Sequence, residues 1–228
     1  LFAFAEGRIH SSADHGEISI VLKRSRDRGK TWEERIVVVQ STGESVQNPT
    51  PVWINSSARI MLLFTKRTVG SDTEQMIRDG SATGYMGVYK TVSDDLGLTW
   101  SSPEEITGDI KRENWNWYAV GPGGAVVMKY NPSFRGRIIV PANHSLDLGS
   151  SNDFLGAHVI WSDDNGTTWH IGATDSEGEA TVNPNETAVT ELTNGDLYFN
   201  TRNHSGVDTI AHRAVAISRD GGLTFSTP

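Results

Sequence analysis

The sequence predicts an all-β fold of the propeller type. Three observations predict it: abundant glycine, an eight-residue box repeated four times, and short strand-like runs between the boxes. Of 228 residues, 23 are glycine, above the average of about 7%. Seven tryptophans and no cysteines accompany them. Glycine punctuation with scattered large aromatics suits many short strands joined by turns, and fits a helical bundle poorly. The missing thiols exclude disulfide and cysteine–zinc frameworks.

The elements follow in order. LFAFAEGR (residues 1–8) reads as strand, and EISIVLKRS (17–25) leads into the first box. That box, Ser25-Arg26-Asp27-Arg28-Gly29-Lys30-Thr31-Trp32, has the form S-x-D-x-G-x-T-W. PTPVWI (49–54), ARIMLLFTKR (58–67) and GYMGVYKTVS (84–93) precede the second box, SDDLGLTW at 93–100. GAVVMKY (124–130), GRIIVPANH (136–144) and GAHVIWS (156–162) precede the third, SDDNGTTW at 162–169. TAVTEL (187–192), DLYFNTRN (196–203) and RAVAIS (213–218) precede the fourth, SRDGGLTF at 218–225, where Phe225 replaces the tryptophan.

The box serines are spaced by 68, 69 and 56 residues, and four short strands per period of that length make a propeller blade. The box itself reads as a hairpin tip. Ser and Asp oxygens accept from nearby backbone N–H groups, and Gly takes the φ > 0 position. The aromatic ring then packs beneath the turn. These residues are consumed in turn geometry, so chemistry is sought between the boxes. The second and third periods hold four strands each; the first begins at its second strand and the last stops after its box. Three and a half to four blades are thus expected, where closed rings have about 4–8. No linker or composition shift divides the chain, so residues 1–228 are expected to form one domain, incomplete at both ends.

The formal charge is −8, from 20 basic and 28 acidic residues, and no Lys/Arg run exceeds two. Nucleic acid is excluded as a partner, and a small anionic ligand requires a local arginine pocket. No apolar run approaches the ~20 residues of a transmembrane span. No signal peptide or initiator Met is visible; a secreted or periplasmic location is favoured. The seven histidines lack H-E-x-x-H spacing, and Gly121-Pro122-Gly123-Gly124 lacks the Lys-Ser/Thr of a phosphate loop. No metal and no cofactor are implied, and His15, His144 and His204 read as incidental.

The segments between the boxes resemble a known family. AFAEGR, Asp14-His15-Gly16 and VLKRSRDRGKTW resemble the first blade of exo-α-sialidases (neuraminidases) of the Asp-box superfamily. WNWYAVGPGGAV and GRIIVPANHS resemble their middle blades, and NPNETAVTELTNGDLYFNTRNHSG the blade carrying their catalytic glutamate. The resemblance implies a six-bladed β-propeller that removes terminal α-linked sialic acids from glycoconjugates. A sialoside bears a carboxylate on its anomeric carbon, which repels a carboxylate nucleophile, so the family uses a tyrosine. A glutamate takes the tyrosine's proton, an aspartic acid protonates the leaving oxygen, and three arginines clamp the carboxylate.

Carried over residue by residue, the resemblance makes Asp14 the acid/base and Glu186 the partner of the tyrosine. Arg8 matches the arginine near the substrate's 4-hydroxyl, and Arg202 the second clamp arginine. The Thr193-Asn194-Gly195-Asp196 turn between adjacent strands should bring Glu186 and Arg202 together. Asn48 falls where the family has Asp or Asn. Asn143 and Ser145 fall where relatives contact the glycerol tail or the N-acetyl group. Trp115, Trp117 and Tyr118 either line the rim or pack between blades. The first clamp arginine is expected upstream of Leu1, and the third with the nucleophile beyond Pro228. None of Tyr85, Tyr89, Tyr118, Tyr130 and Tyr198 matches the nucleophile, so the chain alone is expected to be weakly active or inactive. The alternatives are a non-catalytic Asp-box propeller that binds glycan or protein, and a propeller glycosidase using two carboxylates.

Overall fold

The computed structural model describes residues 1–68, 74–84, 86–146, 155–175, 182–203 and 213–226; Tyr85 and His204 lie outside the described residues. Four antiparallel groups of strands follow one another. The first holds β1 (Phe2–Arg8), β2 (Ile18–Arg24) and β3 (Ile36–Val39), with β2 central. The second is a meander of β4 (Glu44–Ile54), β5 (Arg59–Thr68), β6 (Met86–Ser93) and β7 (Glu104–Glu105). One parallel bridge, Ile18 to Ser45, joins these two groups into a single sheet. The third holds β8 (Trp115–Val120), β9 (Val126–Val127), β10 (Ile138–Leu146), β11 (Leu155–Ser162) and β12 (His170–Thr174). The fourth holds β13 (Pro184–Glu191), β14 (Leu197–Asn203) and β15 (Arg213–Ser218), with Ser226 bridged to Ile217. Two short helices, α1 (Glu74–Arg78) and α2 (Thr107–Ile110), lie in the connections of the second and third groups.

One strand differs from the expectation. GAVVMKY was expected to open the third group, but its inner strand is WNWYAV, and only Val126–Val127 continues the pairing along β10. Gly121 (φ 51°) and Gly123 (φ 118°) break the strand between them. Gly121 also sits against Thr50 Oγ1 so closely that no Cβ fits there.

The boxes are the hairpin tips the sequence predicts. In the first, Ser25 Oγ accepts from Gly29 N at 2.7 Å, and Asp27 accepts from Thr31 N and Oγ1 at 2.8 and 2.6 Å. The other three repeat this network. Gly29, Gly97, Gly166 and Gly222 all have φ between 81° and 89°. The position before each glycine is also left-handed, so Arg28, Leu96 and Asn165 carry a strain that Gly221 avoids.

Each box also locks to the preceding group. A buried cation reaches a carbonyl of the next group's box: Arg24 to Leu96 O at 3.0 Å, Lys90 to Gly166 O at 2.7 Å, Arg137 to Gly221 O at 3.1 Å. Arg137 is further held by both oxygens of Asp163 and lies 4.0 Å over Trp161. The apolar cores lie between neighbouring groups. Leu62, Phe64 and Ile20 fill the first junction, Met61, Leu63, Ile138 and Ile160 the second, and Ile139, Val159, Leu197 and Phe199 the third. Burial of these faces is what turns separate hairpins into a stack.

This topology fixes where the candidate residues lie. Arg8 ends β1 opposite Ile18, while the first box leaves β2 beyond Arg24, at the other end of the pairing. Arg202 likewise lies one residue from the end of β14, opposite Arg213 and away from the box that begins at Ser218. The candidate residues and the boxes therefore occupy opposite ends of the sheets.

Candidate active site

Arg8 and Asp14 meet at the first of these ends. Arg8 Nη2 lies 2.6 Å from Asp14 Oδ1 and 3.1 Å from Glu6 Oε2. Glu6 and Arg8 are two apart on β1, so their side chains share a face. The hydrogen bond that Arg8 donates to Asp14, with the charges of Asp14 and Glu6, raises the Arg8 pKa against the opposing effect of burial. The Asp14 side chain remains 69% exposed, within reach of a ligand. Its main chain is held firmly instead. The Asp14 carbonyl accepts from Arg67 Nη2, from Gln47 Nε2 at 2.9 Å and from Ser45 Oγ at 3.4 Å.

Asn48 joins this cluster from β4. Its N–H donates to Glu6 Oε1 at 3.0 Å, and its Oδ1 accepts from Thr65 Oγ1 at 2.9 Å. The residue has φ 58° and sits where the β4–β5 register shifts between Gln47 and Thr50. A left-handed residue at a bulge re-aims its side chain, and Asn tolerates that conformation better than most. Asn48 is thus part of β4 and not of a plain turn before Pro49.

Glu186 and Arg202 form the second exposed pair. Arg202 Nη1 donates to Glu186 Oε1 and Oε2 at 3.2 and 3.0 Å. They face each other across the β13–β14 ladder, where a register shift lies between Pro184 and Thr187. The Thr193-Asn194-Gly195-Asp196 turn closes that hairpin, with Gly195 at φ 87° and its N–H on Leu192 O. Arg202 is 52% exposed and commits only Nη1 to the pair, so Nε and Nη2 remain for an anionic ligand. A short relay connects the two clusters. Thr187 N donates to Gly121 O at 2.8 Å, Gly121 abuts Thr50, and Thr50 Oγ1 donates to Asn48 O at 3.1 Å.

Asn143, Ser145 and Tyr118 lie apart from both pairs, in a wholly buried cluster. Asn143 Oδ1 accepts from Trp117 Nε1 at 3.0 Å. Ser145 Oγ accepts from Trp117 N at 2.8 Å and donates to Arg78 O at 3.2 Å. Tyr118 packs between Trp115 and His158, the packing alternative rather than the rim, and burial raises its pKa well above the ordinary value. His144 is not a loop residue: it is buried in β10, stacked 3.8 Å from Trp115, with Nδ1 3.0 Å from His158 Nδ1. His15 is exposed beside Asp14.

Burial holds this histidine pair neutral: His144 is lowered to about 3, and His158 well below its ordinary value. A group whose folded pKa lies below its unfolded value of about 6.5 contributes stability above that pH and loses it as pH falls. Acidification from pH 6.5 toward 4 is expected to cost up to about 1.4 kcal/mol per unit for each ring. The box aspartates Asp95 and Asp164, lowered to about 2, give way only below their ordinary value of 3.8. Thermal melts from pH 7.5 to 4.5 should therefore show a falling Tm; a flat profile would refute the neutral pair.

Glu6, Gln47, Thr65 and Arg67 are the site residues the sequence reading missed. Glu6 lay within AFAEGR, two residues before Arg8 on the same strand face, a period-2 signal that was available. Arg67 had no such signal, because its partner is a carbonyl 53 residues away. An open cleft of ≈ 380 Å³ runs along Phe2, Phe4, Pro49, Pro51 and Pro122 and includes none of the four candidate charged residues. The ion pairs define the candidate site better than this apolar hollow does, since they carry the groups able to bind and protonate a ligand. Among the described residues no three His, Asp or Glu side chains converge as metal ligands, and no helix is long and apolar enough to cross a membrane.

Four box-tipped antiparallel groups, with ion pairs at the far ends of the first and the fourth, define a class, and the sequence profile of the BNR repeat-like domain matches residues 1–228. The chain belongs to the BNR repeat-like family. Its relatives include an exo-alpha-sialidase of Aspergillus fumigatus, 28% identical over 89% of this chain and 48% of that protein. A sialidase of Clostridium perfringens is 32% identical over 99% of this chain and 56% of the relative. A Hadza microbial sialidase superposes with TM-score 0.80 at 27% identity, covering 99% of this chain and 43% of that one. The chain spans about half the length of the curated relatives it matches.

Proposed function

We propose that the protein is an exo-α-sialidase that hydrolyses terminal α-linked sialic acids from oligosaccharides, glycoproteins or glycolipids, with retention. In this reading residues 1–228 are part of one six-bladed propeller domain. The observation that carries it is the exposed Glu186–Arg202 pair, placed like Arg8–Asp14 at the sheet ends opposite the boxes. The sialidases among its relatives favour this reading over a propeller that only binds.

Each group has a defined part in the two displacements. Arg202 turns its free Nε and Nη2 toward the substrate carboxylate, for which a planar, permanently charged fork is well suited. Arg8 lies beside the 4-hydroxyl, steadied by Glu6. Glu186 takes the phenolic proton of a tyrosine as its oxygen bonds to the anomeric carbon, a role none of the five tyrosines of residues 1–228 fills. Asp14 gives its proton to the departing glycosidic oxygen, so the leaving group departs as a neutral alcohol. Asp14 then removes a proton from the water that displaces the tyrosine, and Glu186 returns the first proton to the phenolate. Two displacements at one carbon restore the α configuration. Asn48 bounds the pocket beside Glu6. Asn143, Ser145 and Tyr118 enter this reading as buried support for the Trp117 and His144 segment, not as ligand contacts.

Proton NMR of sialyllactose hydrolysis by the full-length gene product tests the reading. The α-anomer of the free sugar should appear first and then mutarotate. A β-anomer first would indicate direct attack by water and a two-carboxylate inverting enzyme. No release of sugar by folded protein would favour a module that only binds.

A further inference from the structure

Asp14 stands on a segment, residues 9–17, that forms neither helix nor strand. A residue there keeps backbone freedom that a strand residue has lost. Side chains of the β4–β5 ladder remove that freedom at one peptide. Ser45 and Arg67 are direct partners across the ladder, and Gln47 lies two residues along β4 on the same face. Arg67 Nη2 and Gln47 Nε2 donate to the Asp14 carbonyl, and Ser45 Oγ spans that oxygen and the Gly16 carbonyl. All three side chains belong to buried residues, and Met86 of β6 closes the other flank of Arg67. Desolvation lowers the Arg67 pKa, opposed by the charges of Glu74, Asp14 and Glu6. A guanidinium is costly to bury, yet this one is directed at a single loop carbonyl. The Asp14 carboxyl takes no part in that clamp; it lies exposed beside Arg8.

We propose that Arg67, with Gln47 beside it, is a positioning residue for Asp14. It fixes the main chain of the acid so that the carboxyl meets the departing glycosidic oxygen. This rests on the reading of Asp14 as the acid/base. The bond acts on the peptide of the acid itself and leaves the carboxyl free to exchange its proton. A hydrogen bond from a charged donor is roughly twice as strong as a neutral one, so the guanidinium holds the carbonyl more firmly than an amide alone could. Groups mounted on strands are placed more precisely than groups on loops, and the clamp extends the rigidity of β4 and β5 to a loop residue. A displacement of about 1 Å at such a group is enough to cost ~10²-fold in rate.

The test is a double-mutant cycle in the full-length gene product, followed on sialyllactose and on an aryl sialoside. Arg67→Met removes the donor and keeps an unbranched side chain beside Met86. It is expected to lower kcat/KM on sialyllactose by ~10- to 100-fold, and far less on the aryl sialoside, whose phenolate leaves without a proton. Arg67→Lys keeps a charged donor and should recover part of the loss. Added to Asp14→Asn, Arg67→Met should cost no further factor above about 2 on sialyllactose, because the group it places is already gone. Equal losses on the two substrates, a full second loss in the Asp14→Asn background, or unchanged activity of Arg67→Met would each overturn the proposal. The acid reading still stands after any of these results if Asp14→Asn alone shows a loss that depends on the leaving group. If Asp14→Asn shows none, that reading and the proposal fall together. Should Arg67→Met not fold, Gln47→Leu and Arg67→Lys carry the same comparison: a loss of about 3- to 10-fold confined to sialyllactose supports the clamp, and an equal loss on both substrates or none at all overturns it.

Discussion

Glu186→Gln is expected to reduce kcat of the full-length gene product on sialyllactose by ~10²- to 10⁴-fold, the range over which a positioned general base contributes. The substitution preserves the side chain's shape and one oxygen for Arg202 Nη1, which lies 3.0–3.2 Å from both carboxylate oxygens. What it removes is the ability to accept a proton. KM should move far less than kcat, because Arg202 keeps its place and its charge. The fold should hardly register the change. Both partners are roughly half exposed, and an ion pair in that setting contributes about 0–1 kcal/mol. A melting temperature within a few degrees of wild type, with kcat down by orders of magnitude, separates catalysis from stability. Retention of more than a tenth of wild-type kcat would remove Glu186 from the proton-transfer step.

The contrast between these small and large effects tracks what could be read from the sequence. The boxes were legible because every bond in them spans at most four residues, as in Gly29 N to Ser25 Oγ. The resemblance named Glu186 and Arg202, and their pairing was legible for a similar reason: one hairpin with a recognisable Asn-Gly turn returns one residue to the other. Arg8 and Asp14 needed the family resemblance, since Asp-His-Gly alone suits any loop. Interactions between groups were hidden. Nothing local marks Arg24, Lys90 or Arg137 as cations that cap the next box's carbonyls, because their partners lie 72 to 84 residues away. The resemblance placed the polar tip of Asn143 at the ligand, and that of Tyr118 was left open between rim and packing. Here those tips face the interior, with Tyr118 among aromatic rings and Asn143 on the Trp117 indole.

Asp14→Asn should produce the second large loss, and its size should depend on the leaving group. With sialyllactose the departing oxygen is an alkoxide unless protonated, so loss of the acid is expected to lower kcat/KM by ~10²- to 10⁴-fold. With an aryl sialoside the leaving phenolate is stable on its own, and the first displacement should be nearly spared. The deficit then moves to the second displacement, where Asp14 acts as base toward water, and the tyrosyl intermediate should accumulate with a burst of phenol. The structure supports a clean substitution. Asp14 is anchored through its carbonyl by Arg67, Gln47 and Ser45, and those bonds do not involve the side chain being changed. Arg8 loses an ionic partner at 2.6 Å but keeps Glu6 at 3.1 Å, so its charge stays where the substrate meets it. Equal losses on aryl and alkyl sialosides, with no burst, would place Asp14 outside the chemistry and return it to the role of an ordinary loop residue before Gly16.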